Sequence, residues 1–80
     1  MEKQLVLKNE IAEISKLASF IDELGEAWNL PTELVFNLNL VLEEAVSNVI
    51  LYAYPKEEHE IISLLARKRE NQLIFVLTDT

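Results

Sequence analysis

Leu40-Val41-Leu42-Glu43-Glu44-Ala45-Val46-Ser47-Asn48-Val49-Ile50-Leu51-Tyr52-Ala53-Tyr54-Pro55 is the stretch from which the rest of the chain is read. At about 100° per residue on a helical wheel, Leu34, Leu38, Val41, Leu42, Ala45, Val46, Val49 and Ala53 share one broad face. Phe36, Leu40 and Leu51 fall on the other side. A helix this apolar all round is expected to be buried on more than one side. It is expected to run from about Pro31 to Ala53. Pro31 suits the first helical position, where its missing N–H is not needed. Pro55 and the polar group Lys56-Glu57-Glu58-His59 stop it.

One polar stripe interrupts this apolar surface. Asn37, Glu44 and Asn48 lie within a sector of roughly 40°. Glu44 and Asn48 are one turn apart and therefore neighbours. A carboxylate at the edge of an apolar surface is expected to be partly desolvated, which makes it a better base. The amide oxygen beside it is a hard donor that suits magnesium. A Glu and an Asn four apart are, on spacing alone, more often solvated or hydrogen-bonded to each other. Glu43 is the competing carboxylate, about 100° round the wheel from Glu44.

Outward from this helix the chain reads as β-α-α-β-β. Upstream, Gln4 to Lys8 is a short strand candidate. Asn9 suits a helix N-cap, with Glu10 and Glu13 in the first turn. Ile11, Ile14, Leu17, Ala18, Ile21 and Leu24 recur at helical spacing, giving an amphipathic helix from about Glu10 to Trp28. Gly25 is a mild breaker near its end, and Trp28 is expected to pack there. Asn29 to Thr32 is a short connector. Downstream, Glu60 to Arg69 and Gln72 to Thr78 read as strands joined by the turn Glu70-Asn71. Two helices over a mainly antiparallel sheet make a two-layer α+β sandwich.

Composition removes several function classes. The 80 residues are one domain at most. Fourteen acidic against seven basic residues leave a net charge of −7, which opposes binding to phosphate backbones or anionic lipid. No nucleic acid and no membrane are expected as partners. The absence of cysteine excludes disulfides and thiolate metal sites. Met1 to Glu10 does not read as a signal peptide. Leu34 to Tyr54 reads as too polar for a membrane span. A cytoplasmic protein is the expectation. His59 has no second His or Cys for a metal site, and Ser15, Ser19 and Ser63 have no adjacent base to activate them.

The run Glu44-Ala45-Val46-Ser47-Asn48, with its Ala53-Tyr54-Pro55 end, resembles the N-box of the GHKL (Bergerat-fold) ATPases. More narrowly, it resembles that of the anti-sigma-factor serine/threonine protein kinases. The resemblance implies that Glu44 is the general base and that Asn48 coordinates the Mg2+ bridging the phosphates of ATP. It also selects Glu44 over Glu43. Many such serine kinases carry His where this chain has Tyr52. Sensor histidine kinases often carry Tyr there, after a basic residue where this chain has Leu51. Tyr52 therefore reads either as lining the nucleotide pocket or as a core aromatic.

Leu73 to Thr80 resembles the strand that enters the family's Asp-x-Gly motif, whose Asp accepts a hydrogen bond from the adenine amino group. Asp79 matches that Asp. The resemblance spans all 80 residues in order and implies the N-terminal part of a histidine-kinase-like ATPase domain, with the Gly-rich lid still to come. Its implied partners are a sigma factor and an anti-sigma-factor antagonist, with a possible homodimer. The implied activity is ATP-dependent phosphorylation of a serine on the antagonist. The alternatives are a non-catalytic module that sequesters a sigma factor or antagonist, and the ATP-binding domain of a sensor histidine kinase.

Overall fold

The computed structural model describes residues 1–52 and 61–79. Within them the order is β1 (Glu2–Lys8), α1 (Ile14–Ala27), α2 (Thr32–Tyr52), β2 (Ile61–Arg69) and β3 (Gln72–Asp79). A single 3-10 turn, Ile11–Glu13, precedes α1. The β-α-α-β-β order and the α+β class are those expected from the sequence. The expected helix stop at Pro55 to His59, and the strand start at Glu60, lie outside the described residues.

The three strands form an antiparallel sheet in the order β1-β2-β3. Leu5 and Leu77 both pair with Leu64, Leu7 pairs with Ile62, and Phe75 pairs with Ala66. Paired residues point to the same face, and successive residues alternate. One face therefore carries Leu5, Leu7, Ile62, Leu64, Ala66, Phe75 and Leu77. The helices cover it, and Leu7, Ile62, Leu64 and Ala66 are buried there with Leu17, Phe20, Ile21, Leu24, Trp28, Leu42, Val46 and Ile50. The opposite face carries the Arg67–Glu2 ion pair, with Arg67 Nη2 2.6 Å from Glu2 Oε1. The same face carries a hydrogen bond of 2.6 Å from Gln4 Nε2 to Ser63 Oγ.

The start of the first helix differs from expectation. The N-cap position of the 3-10 turn falls on Glu10, not Asn9, and no side chain caps it. Asn9 is itself buried. Glu13 does the local tying instead. One of its carboxylate oxygens accepts the Lys8 backbone N–H at 3.0 Å, and the other lies 2.8 Å from Lys16 Nζ. The end of β1 is thereby fastened to the first turn of α1.

The connector between the helices has a defined geometry. Asn29 has φ 53°, in the left-handed region that Asn and Gly tolerate best. Its N–H donates to the Glu26 carbonyl at 3.4 Å, and the Leu30 N–H donates to the Gly25 carbonyl at 2.9 Å. These two bonds form a Schellman motif, which satisfies carbonyls the helix end would otherwise leave open. Trp28 packs at this helix end as expected, 6% exposed. Gly25 lies in the last turn of α1, near its end as expected. Its role is to admit α2, as the contact with Val35 shows.

The second helix is buried on one side only. Leu42, Val46 and Ile50 are in the core, and Val35, Leu38 and Val49 pack partly against it. Val41, expected on the buried face, is 63% exposed, and Phe36, Leu40 and Leu51 are also exposed. The single sheet contacts one flank of the helix, so the wide apolar circumference seen in the sequence is only partly used. By length and mean hydropathy (1.5), Thr32–Tyr52 is also apolar enough to cross a membrane. That corrects the expectation that its polar residues exclude this, because the Leu, Val and Ile content outweighs them. Here the helix contributes Leu42, Val46 and Ile50 to the same core as the sheet.

Candidate functional site

The outer face of α2 is built by the same periodicity that buries its inner face. Val46 and Ile50 sit in the core at 0% and 2% exposure. Glu44 and Asn48 each lie two residues before one of these, which is about 200° round the helix. Both are exposed, as is Asn37. The stripe of carboxylate and amides expected from the sequence is therefore present as one surface, facing away from the core. Glu44 and Asn48 are one turn apart on it.

The expected desolvation around Glu44 is absent among the described residues. Glu44 is exposed because the sheet lies on the far side of the helix. Glu43 is exposed too, so burial does not separate the two carboxylates. What separates them is angle, since only Glu44 shares the sector of Asn48.

Apolar residues border the stripe on both sides. Phe36, Leu40 and Leu51 lie along one margin and Val41 and Tyr52 along the other, exposed by 53%, 58%, 59%, 63% and 74% respectively. The apolar circumference of the helix predicts burial of most of these against protein. Their wheel angles already set them beside Glu44 and Asn48, and that was the available signal. Tyr52 is not a core aromatic in this structure.

Asp79 is the last residue of β3 and pairs with Ile62. By strand alternation its position is on the helix-covered face of the sheet, at the end opposite the β2–β3 turn. Its side chain, together with Ala53, Tyr54 and Pro55 at the end of the N-box, lies outside the described residues. The structure thus brings Glu44, Asn48 and Tyr52 onto one helix face, and places Asp79 only by its backbone register.

The donor set fits a phosphorylated nucleotide on chemical grounds. Exposed amide and carboxylate oxygens are accessible, and apolar residues beside them offer contact to a flat base. No cluster of three or more His, Cys, Asp or Glu suited to a metal occurs among the described residues. A cation at this surface would therefore draw most of its ligands from phosphate oxygens and water, as magnesium commonly does.

A family model described as a histidine kinase-like ATPase domain matches residues 7–80. No curated protein matches the chain, and neither does any solved structure. The matched span begins in β1, takes in both helices and reaches Asp79, so it contains every element that builds the surface around Glu44 and Asn48. The chain belongs to the histidine kinase-like ATPase domain family, of the GHKL type, and ATP is the ligand that this membership assigns to it.

Proposed function

We propose that this chain works in an anti-sigma regulatory factor with ATP-dependent protein-serine kinase activity toward an anti-sigma-factor antagonist. The observation that carries the reading is the pairing of Glu44 and Asn48 on the exposed face of α2, one turn apart and away from the core. The sequence around them supports the narrower family assignment through Glu44-Ala45-Val46-Ser47-Asn48.

In this reading Mg2+-bound ATP supplies the transferable phosphoryl group and most of the charge neutralisation. Phosphoryl transfer depends mainly on positioning and electrostatic stabilisation. Asn48 presents its amide oxygen to the cation. Glu44 orients the attacking serine hydroxyl and takes its proton. Tyr52 lines the pocket beside them, and Asp79 accepts from the adenine amino group. Closing of further protein over Phe36, Leu40 and Leu51 would remove water from Glu44 and raise its strength as a base. The remaining parts of the reading are the sigma factor and its antagonist as partners, a cytoplasmic setting, and no engagement of nucleic acid or membrane.

The test separates binding from transfer. The full-length protein is titrated with ATP with and without Mg2+, and phosphorylation of the antagonist is followed. Asn48→Ala should abolish the Mg2+-dependent part of the affinity. Glu44→Gln should keep nucleotide binding and lower turnover by about 100-fold or more, the range of a lost general base. Unchanged turnover in Glu44→Gln would reject its role. Antagonist binding that needs no nucleotide and survives Asn48→Ala would favour a non-catalytic sequestering module. Phosphotransfer to histidine would favour the sensor-kinase reading.

A further inference from the structure

We propose that the outer face of the sheet docks an acidic amphipathic helix of a partner protein. The inference rests on the three strands and is independent of the nucleotide reading. An antiparallel sheet with one face in solvent ordinarily alternates apolar and polar residues along each strand. β2 and β3 break that pattern. Ile61-Ile62, Leu64-Leu65 and the run from Leu73 to Leu77 supply apolar residues to both faces. By register, Val6, Ile61, Leu65, Ile74 and Val76 lie on the face away from the helices. None of the five packs into the core, and Val6, Ile61 and Val76 are exposed by 56%, 46% and 47%.

These residues are contiguous. Leu65 pairs directly with Val76. Val6 and Ile74 stand diagonally beside Leu65, and Ile61 stands diagonally beside Val6, all within reach of long side chains. An exposed apolar patch with a polar rim marks an interaction site.

Charge selects the occupant. The chain carries −7 overall, but its two layers differ in sign. Residues 9–52, which hold both helices, contain eight acidic side chains against one base, Lys16. The outer face of the strands has Lys8 near one end and Arg67 and Arg69 near the other. Its one acid, Glu2, is already paired with Arg67. A partner that covers the apolar stripe therefore meets cations at both ends. Lys8 pairs with Ile61, eight residues from Arg69 along β2, which is about 26 Å at about 3.3 Å per residue. A helix of about 18 residues spans that length. Its apolar face covers Val6, Leu65 and Val76, and its flanking Asp and Glu reach Lys8 and Arg69. Among the described residues this face has no aromatic side chain on which a nucleic acid base could stack, since Phe75 faces the helices.

The test titrates the full-length protein into two fluorescein-labelled synthetic helices of about 18 residues. Both carry the same leucine face, one flanked by Glu and the other by Lys. The Glu-flanked peptide should bind at least about tenfold more tightly, and its affinity should fall as salt is raised. Val76→Glu should weaken it roughly tenfold, and Arg69→Glu roughly fivefold. Leu40→Gln, on the exposed side of α2, should leave it unchanged. Circular dichroism checks that each variant is folded. If Val76→Glu does not fold, Arg69→Glu and the peptide pair decide. Equal affinity for the two peptides, or no binding of the Glu-flanked one to about 1 mM, would overturn the proposal. So would a wild-type oligomer that Val76→Glu dissociates in sedimentation velocity, which would give the face to a second copy. Binding to phosphatidylserine vesicles that Val76→Glu abolishes would give it to a membrane instead.

Discussion

A Cβ placed on Gly25 would lie 2.8 Å from Val35 Cγ2, closer than side-chain carbons approach one another. The two helices therefore cross at Gly25, and Val35 occupies the space a side chain there would need. Glycine inside a helix ordinarily costs about 0.5–1 kcal/mol relative to alanine. Here that cost is offset by the close approach.

Gly25→Ala should therefore destabilise the chain by about 1–3 kcal/mol, the usual range for overpacking, because Val35 is branched at Cβ and has little freedom to turn away. The same substitution in a Val35→Ala background should be neutral or stabilising. A double-mutant cycle by urea denaturation measures this. Additive effects would mean that the 2.8 Å contact is not what the glycine serves.

The Schellman turn makes a second prediction, of opposite sign for two substitutions. Asn29, at φ 53°, should gain stability on mutation to Gly, which has no penalty in that region. Asn29→Val should lose about 1–2 kcal/mol, the cost of a left-handed conformation for a residue with an ordinary side chain. Thermal melts of the two variants should shift in opposite directions.

Glu13 supplies a pH dependence. The Lys16 ammonium, followed by the Lys8 backbone N–H, holds its carboxyl below the usual carboxylate range, against a smaller opposing effect of burial. A carboxylate with a lowered value in the folded state adds stability above its unfolded value, and loses it as pH falls through the folded one. The wild-type chain should lose this contribution as pH drops below about 4, while Glu13→Gln should show a shallower acid limb. Denaturation midpoints measured across the acid range check it. Parallel curves for the two proteins would remove Glu13 from the account.

The two faces of α2 should respond differently to mutation. Ile50→Ala opens a cavity in the core and should cost about 2–5 kcal/mol. Glu44→Gln and Asn48→Ala change exposed side chains and should stay within about 0.5 kcal/mol of wild type. Their effects on ATP binding and turnover are then readable without a folding defect. A large stability loss in Glu44→Gln would mean that the carboxylate is structural.

Much of this molecule was legible from local pattern. Helical spacing from Ile11 to Leu24, the Pro31 start, and the β-rich runs either side of Glu70-Asn71 gave the element order to within a few residues. Those signals are local, because they arise from backbone geometry and from which residues one face must bury. The N-cap was misplaced onto Asn9 because a cap is decided by where the chain leaves β1. That in turn is fixed by Glu13 reaching back to the Lys8 N–H.

The sequence by itself determined the α+β class, the strand and helix order, and the grouping of Glu44 with Asn48, since a helix has one period and residues four apart must be neighbours. Only the tertiary structure decided which side of α2 is buried. Its apolar residues run nearly all the way round, so periodicity alone offers several burial directions. The choice was made by the sheet face of Leu7, Ile62, Leu64 and Ala66, and by the Gly25–Val35 crossing. Together these rotate Leu42, Val46 and Ile50 inward and leave Glu44, Asn48 and Tyr52 facing out.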